Sequence, residues 1–286
     1  MRRARPILGT IVEIRAETAS PAAERAIGEA FAAVARVHLL MSVHRQDSDV
    51  SRLNRHGHKQ AVRVHPWTFE VLEAAERFSV ASDGLFDCTV APALSRDGFL
   101  PRGLGRAAGS SGSYRDVELL PGGCVRFQRP LAIDLGGIAK GFAVDRAVTA
   151  LRTNGVLSGA VNAGGDLRVF GPMPQPIHLR DPAAPGRLLP AGLLRDGAIA
   201  TSAGYFARRP RKSGWVSPIV DPRNGAAVAD CGRSVSVIAE DALTADALTK
   251  PVMLLGADSE AILRRCGARA LIHETGGAMV EAGHAA

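Results

Sequence analysis

Lysine is scarce in this sequence. Of the 35 basic residues in 286, only Lys59, Lys140, Lys212 and Lys250 are lysines. Where arginine is the habitual cation, a lysine is either incidental or kept for a place that wants a compact ammonium rather than a planar fork. Cysteine is scarce too. Cys88, Cys124, Cys231 and Cys266 are widely spaced and form no Cys-x-x-Cys pair, which excludes a zinc ribbon and a disulfide framework and leaves reduced thiols as the expectation. Two tryptophans and two tyrosines are too few for a platform on which bases stack, although a net charge of +7 and a pI near 9.8 invite a nucleic-acid reading. The basic residues gather only in Arg-Arg-Ala-Arg from Arg2 to Arg5 and in Arg208 to Lys212, with Tyr205 and Trp215 nearby. We therefore expect solvated basic loops with some pull on anionic ligands, and no nucleic-acid partner. No apolar run approaches the roughly 18–20 residues of a membrane span. Neither an apolar run nor a small-residue cleavage site follows the first arginines. The expectation is a cytoplasmic protein without a membrane span.

What is present is ordinary globular usage, 46% hydrophobic and 22% charged. The length is near the limit for one core, so one large domain or two fused subdomains are the options. Ile7 to Ala16 alternates like an opening strand. Ser20-Pro21 then starts a long amphipathic helix through Ile27, Phe31, Val34, His38 and Met41. A polar loop, MSVHRQDSDVSRLNR, precedes a second helix that begins at Pro66 and ends near Asp83-Gly84. The stretch from Ser95 to Gly123 is rich in Gly, Ser and Arg and reads as a surface loop or subdomain linker within a single domain spanning residues 1–286. Beyond it lie a hairpin around Val117–Leu120 and Val125–Phe127, a strand Leu131–Leu135, and a helix through Ala143, Ala147 and Leu151. Short strands, helices near Ala242–Leu255 and Ser259–Cys266, and a strand pair around Ala270–His273 follow. Strands and helices do not alternate strictly, so α+β is expected rather than a doubly wound parallel sheet.

Five segments carry candidate chemistry. In IDLGGIAKGFAVDRA, Ile133 to Ala147, an apolar strand runs through two glycines into a helix with Lys140 in its first turn. Glycines admit a ligand close to the backbone, and free amides at a helix start suit phosphate. Asp134 could hold a base, a ribose hydroxyl or a cation; the spacing is neither of the standard nucleotide fingerprints. VNAGGDLRVFG, Val161 to Gly171, is a tight turn that could be wholly structural. IATSAGYF, Ile199 to Phe206, is a strand ending in two hydroxyls. SPIVDPRNG, Ser217 to Gly225, contains an ordinary β-turn. In DALTADALTKPVMLLG, Asp241 to Gly256, Asp246 and Lys250 stand four apart on one helix face and can meet. That is a surface ion pair or, given the apolar flanks, a buried and functional one.

In order and combination these segments resemble the ApbE family of FAD:protein FMN transferases. LGT looks like the family's Met-Gly-Thr start, with Leu8 for Met. MSVHRQDSDVSRLN is similar to a family loop, with His44 at its aromatic place. GLFDCTVAPAL, IDLGGIAKGFAVD, VNAGGDL, ATSAGYF, IVDPRNG and SVSVIAEDALTADAL follow in order, so the likeness runs from about Leu8 to Gly256. It implies an α+β fold of two intimately associated subdomains with mixed β-sheets flanked by helices, and FAD in a cleft between them. It implies cleavage of FAD, transfer of FMN to a threonine of an acceptor protein, and release of AMP. By position, His44, Phe86, Asp87, Asp134, Lys140 and Val220 would line the FAD site. A Mg²⁺ would be held by Asp246 with the Gly137 carbonyl and a threonine.

Two places depart from the family pattern. Its metal-binding threonine follows the aspartate by four residues, which here is Lys250; Thr249 sits one residue early, about 100° around the helix. A histidine read as base precedes the IVDP strand in the family, where this chain has Ser217-Pro218. Asp246 and Lys250 are thus the candidate catalytic pair, and Lys250 stands as a candidate replacement for magnesium. The competing expectations are an FAD-binding relative with weak or no transferase activity, which could hydrolyse FAD to FMN and AMP, and a nucleic-acid or partner-binding module that uses the basic surface.

Overall fold

The computed structural model describes residues 1–18, 20–104, 112–204, 207–211, 214–229 and 232–283. Tyr205, Phe206, Lys212, Cys231 and residues 105–111 of the glycine- and serine-rich stretch lie outside the described residues. The opening segment is two strands rather than the expected one. β1 (Arg2–Ile7) and β2 (Thr10–Ala16) pair antiparallel with Ile7 opposite Thr10. Leu8 (φ 60°) and Gly9 (φ 71°) make the turn between them, and two positive φ angles in succession are what a tight hairpin of this kind requires. Leu8 hid the turn, because glycine, asparagine or aspartate is the usual signal there. α1 (Pro21–Met41) begins as expected, with the Ser20 hydroxyl accepting the Ala23 N–H at 3.1 Å.

The loop expected after Met41 contains a helix, α2 (Asp49–His56). Ser48 caps it by accepting the Ser51 N–H at 3.0 Å, and only Val50 and Leu53 of its apolar residues are buried. So short an apolar stripe gives little periodic signal. β3 (Val62–Arg63), α3 (Pro66–Ala81), α4 (Ala91–Arg96) and the hairpin β4 (Val117–Leu120) and β5 (Cys124–Phe127) follow. Leu131–Leu135, expected as a strand, belongs to no strand. α5 (Ala139–Thr153) then leads to β6 (Gly159–Ala163), β7 (Asp166–Phe170), β8 (Gln175–Arg180), β9 (Leu188–Leu194) and β10 (Gly197–Ala203). The rest is β11 (Arg209–Arg211), β12 (Gly214–Asp221), β13 (Ala226–Ala229), β14 (Arg233–Ala239), α6 (Ala242–Leu255), α7 (Glu260–Arg265), β15 (Arg269–Glu274) and β16 (Met279–Ala282).

Two compact units result. The first comprises Met1–His38, Lys140–Ala203 and Gly232–Ala286; the second comprises Leu39–Ala139 and Gly204–Cys231. The first is built on an eight-stranded sheet in the order β1-β2-β6-β7-β10-β14-β15-β16, antiparallel at every pairing. The α+β class follows, since no parallel pair needs a crossover. Ile199 of β10 packs with Ile177, Leu179 and Leu194 of the β8–β9 hairpin. By the two-residue period of a strand, the buried Ala198 and Ala200 point to the opposite face. α6 lies against β10, β14 and β7. The second unit holds the sheets β3-β5-β4 and β11-β12-β13 with α2, α3 and α4. The described parts of the Ser95–Gly123 stretch lie within it.

Candidate functional site

In the first unit, two carboxylates fix the start of α6. Asp241 caps it by accepting the Thr244 N–H at 2.7 Å. Asp145 of α5 accepts the N–H groups of Ala242 (3.0 Å) and Leu243 (2.8 Å) while paired with Arg168 at 2.5 Å. The otherwise unsatisfied first-turn amides of α6 thus anchor it to α5. Gly141 permits the close approach: a Cβ there would meet the Ala242 carbonyl oxygen at 2.1 Å and the Asp246 Cβ at 2.9 Å.

Just past that crossing sits Asp246, 1% exposed. Its Oδ2 accepts the Gly141 N–H at 3.1 Å and a Lys140 ammonium proton at 3.2 Å. Its Oδ1 is bonded by Lys250 and lies 3.3 Å from Lys140. The Lys250 ammonium also donates to the backbone carbonyl of Asp246 at 2.7 Å. Lys140 reaches a second buried carboxylate, Asp166, at 2.8 Å. Asp166 stands at the start of β7 because Gly164 (φ 66°) and Gly165 (φ 105°) turn the chain sharply after β6, braced by the Gly165 N–H on Asn162 Oδ1 at 3.0 Å. The tight turn forms as expected, and it also brings the carboxylate of Asp166 to Lys140.

Burial works against the charge on Lys140, but Asp166 and Asp246 outweigh it and hold the ammonium well above its usual range. Burial and the neighbouring Asp246 push Asp166 up to about 6 against the pull of Lys140 and Lys250. For Asp246, burial is overcome by the two ammoniums, and the carboxyl stays below the usual carboxylate range. Lys250 is lowered, chiefly by burial and also by Lys140, and Asp246 opposes this. The side chains of Lys140 and Lys250 are 31% and 20% exposed, so the lysines, and not the carboxylates, are the part of the cluster that reaches solvent.

Thr249 turns its hydroxyl to the Asp246 backbone and to β10 rather than to the Asp246 carboxylate. It is fully buried, its hydroxyl donates to the Asp246 carbonyl at 2.7 Å, and it shares a 2.8 Å bond with Ser202 of β10. α6 continues through Pro251, which has no N–H for the Ala247 carbonyl and crowds it.

The second unit positions the other candidates. Asn54 of α2 brackets Ile133: its Nδ2 donates to the Ile133 carbonyl at 3.0 Å, and its Oδ1 accepts the Ile133 N–H at 2.8 Å. The Asp134 N–H goes to the Cys88 carbonyl at 2.8 Å. A side-chain amide and a loop carbonyl therefore replace the ladder that a strand would have supplied, which is why Leu131–Leu135 is extended yet unpaired. Asp134 Oδ2 accepts the Gly136 N–H at 3.1 Å, and Gly137 lies in the turn that follows. Asp87 caps the turn Cys88–Val90 and binds the Tyr114 N–H at 2.9 Å; burial raises its carboxyl despite these bonds. Phe86 packs edge-on against Phe78, and Val220 packs with Ala93 and Leu94. Both side chains are core, 4% and 6% exposed. His44 is exposed in the turn after α1. Pro218 stands at the departed base position, and Ser217 before it is buried and donates to the Val228 carbonyl at 3.1 Å.

Of the residues expected from sequence, Asp246, Lys250, Lys140 and Thr249 come together in the first unit. Asp134 and Asp87 in the second unit both touch the segment at Cys88 and Thr89. Sequence reasoning missed the roles of Asp166, Asp145, Gly141 and Ser202. The carboxylate that follows the glycine pair in VNAGGDL was the readable signal for the first of these. The donor set does not fit a divalent metal. Both Asp246 carboxylate oxygens and the Thr249 hydroxyl already hold hydrogen bonds.

The model of the ApbE family matches residues 8–272. The chain belongs to the ApbE family. The FAD:protein FMN transferase of Treponema pallidum is 28% identical over 92% of this chain and 81% of its own length. That of Vibrio cholerae is 29% identical over 76% of this chain and 69% of its own. Among solved structures, the ApbE protein of Thermotoga maritima superposes with a TM-score of 0.84 at 30% identity, covering 99% of this chain and 96% of the other. Every segment quoted for the resemblance falls within the matched range.

Proposed function

We propose that the chain is a flavin transferase: it cleaves FAD, passes FMN to a threonine hydroxyl of an acceptor protein, and releases AMP. The observation that carries this reading is the pair of ammoniums, Lys140 and Lys250, oriented by the buried Asp246 and Asp166 within a chain whose relatives are named for that reaction. In the reaction the acceptor hydroxyl oxygen bonds to the FMN phosphorus. The bond from that phosphorus to the bridging oxygen breaks, the oxygen leaves with AMP, and the hydroxyl proton passes to water. The chemistry asks the protein for positioning and for positive charge where the phosphoryl oxygens gather negative charge. Lys140 and Lys250 supply charge, and Gly141 and Asp145 hold α5 and α6 so that the charges stay in place. His44, Phe86, Asp87, Asp134 and Val220, all of the second unit, are the residues that the family likeness proposes for the flavin, and Phe86 and Val220 pack within that unit.

The test is incubation with FAD and a threonine-bearing acceptor, followed by a denaturing gel. Flavin fluorescence on the acceptor band, with AMP released in equal amount, supports transfer. AMP with only free FMN makes the protein an FAD hydrolase instead.

A further inference from the structure

We propose that this chain holds the pyrophosphate of its dinucleotide with a fixed side-chain cation, Lys250 acting with Lys140, and that Asp246 orients these ammoniums instead of ligating a divalent metal. The inference rests on the flavin reading above and names how that site neutralises its ligand. A metal ligand must offer an oxygen lone pair at about 2.0–2.1 Å from an ion such as magnesium. At Asp246 those lone pairs face the Lys250 ammonium on one oxygen, and the Gly141 N–H and Lys140 on the other. The Gly141 amide cannot withdraw, because the crossing of α5 and α6 fixes it at a distance that leaves no room for a Cβ. Lys250 is held a second time by the Asp246 carbonyl. The neighbouring hydroxyl, Thr249, is engaged between that same carbonyl and Ser202.

The arrangement suits an anion as well as it refuses a cation. Two ammoniums balance two carboxylates, so the centre carries no excess negative charge to draw a divalent ion. An ammonium has three donors; Lys140 turns its own toward Asp166 and Asp246, whereas Lys250 uses two on Asp246 and keeps a third for a ligand, and both side chains remain partly open to solvent. An ammonium binds phosphate as a point charge. With one charge standing where a metal would bring two, transfer by this chain is slow.

The test uses the purified full chain, with Mn²⁺ as a paramagnetic probe and FAD as ligand. We expect the free Mn²⁺ signal to be undiminished by the protein, with FAD or without it. FAD should titrate with a Kd that agrees within about twofold in magnesium and in EDTA. Lys250→Ala should weaken FAD by about tenfold or more in both. Lys250→Thr, its fold checked by circular dichroism, should bind FAD about tenfold more tightly in magnesium than in EDTA. Uptake of Mn²⁺ by the unmutated protein that disappears in Asp246→Asn overturns the proposal, as does a tenfold loss of FAD affinity in EDTA. Absence of FAD binding under every condition defeats the flavin reading; Mn²⁺ with the protein alone then still decides whether Asp246 takes a metal.

Discussion

Asp246 and Lys250, one turn apart on α6, meet twice: the ammonium bonds the carboxylate Oδ1 and the backbone carbonyl of the same residue. An i,i+4 pair on an exposed helix contributes about 0.5 kcal/mol at most. Here the carboxylate is 1% exposed and Lys140 shares it, so the pair belongs with buried ion clusters. Removing one partner of a buried pair costs about 3–5 kcal/mol, because it strands the other charge. Asp246→Ala should therefore lower stability by about that much, measured in urea, and abolish FAD binding. A variant of unchanged stability would show the cluster to be loosely solvated.

The crossing of α5 and α6 depends on one glycine. Gly141→Ala places a methyl against the Ala242 carbonyl, and overpacking of this kind typically costs about 1–3 kcal/mol. The helices should part, and FAD affinity should fall with stability. Full stability and affinity in this variant would mean that the Gly141 amide is not held against Asp246.

Asn54 stands in for a neighbouring strand. Asn54→Ala removes both bonds to Ile133 and leaves a buried N–H and carbonyl unpaired, at about 1–3 kcal/mol for each group so exposed. Since Asp134 follows Ile133 directly, FAD should also bind more weakly. Asp134→Ala should weaken FAD severely while leaving the thermal melt near that of the unmutated protein. Unaltered FAD titration by Asp134→Ala would remove this segment from the site.

The acceptor should carry acidic residues near its threonine. Net charge is +7, and an open cleft of about 540 Å³ in the second unit gathers Arg96, Arg102 and Arg211 around the lone carboxylate of Asp97. Exposed charges are screened beyond about 8 Å at physiological ionic strength. Acceptor binding should weaken as salt rises, and Arg102→Glu should weaken it further at low salt. A salt-independent Kd would mean that the positive excess is only solvated.

Much of this was legible in the residues. The glycine turn before α5 is announced by Leu135-Gly136-Gly137, the start of α1 by Ser20-Pro21, and the limits of α6 by Asp241 and Gly256. What was not legible depended on partners distant in sequence. Leu131–Leu135 has the apolar run of a strand, but the residue that satisfies it is Asn54, 79 positions earlier. α2 has too few apolar residues to show a period. The centre itself was half legible: the spacing of Asp246 and Lys250 predicts that they meet, yet Lys140 lies 106 residues away from Asp246. The glycine pair before Asp166 marks a turn that presents its carboxylate, but the order of the chain does not say that Lys140 receives it. Phe86 and Val220 come from the resemblance, and their side chains prove to be packing within the second unit.

In the proposed site the pyrophosphate of FAD sits on the ammoniums oriented by Asp246. A crystal structure of the chain with FAD, grown from magnesium-containing solution, tests it most directly. The Nζ atoms of Lys140 and Lys250 should lie within hydrogen-bond distance of pyrophosphate oxygens, with no ion between them and Asp246. A magnesium ion bound by Asp246 and bridging the pyrophosphate, with Lys250 turned away into solvent, would contradict it.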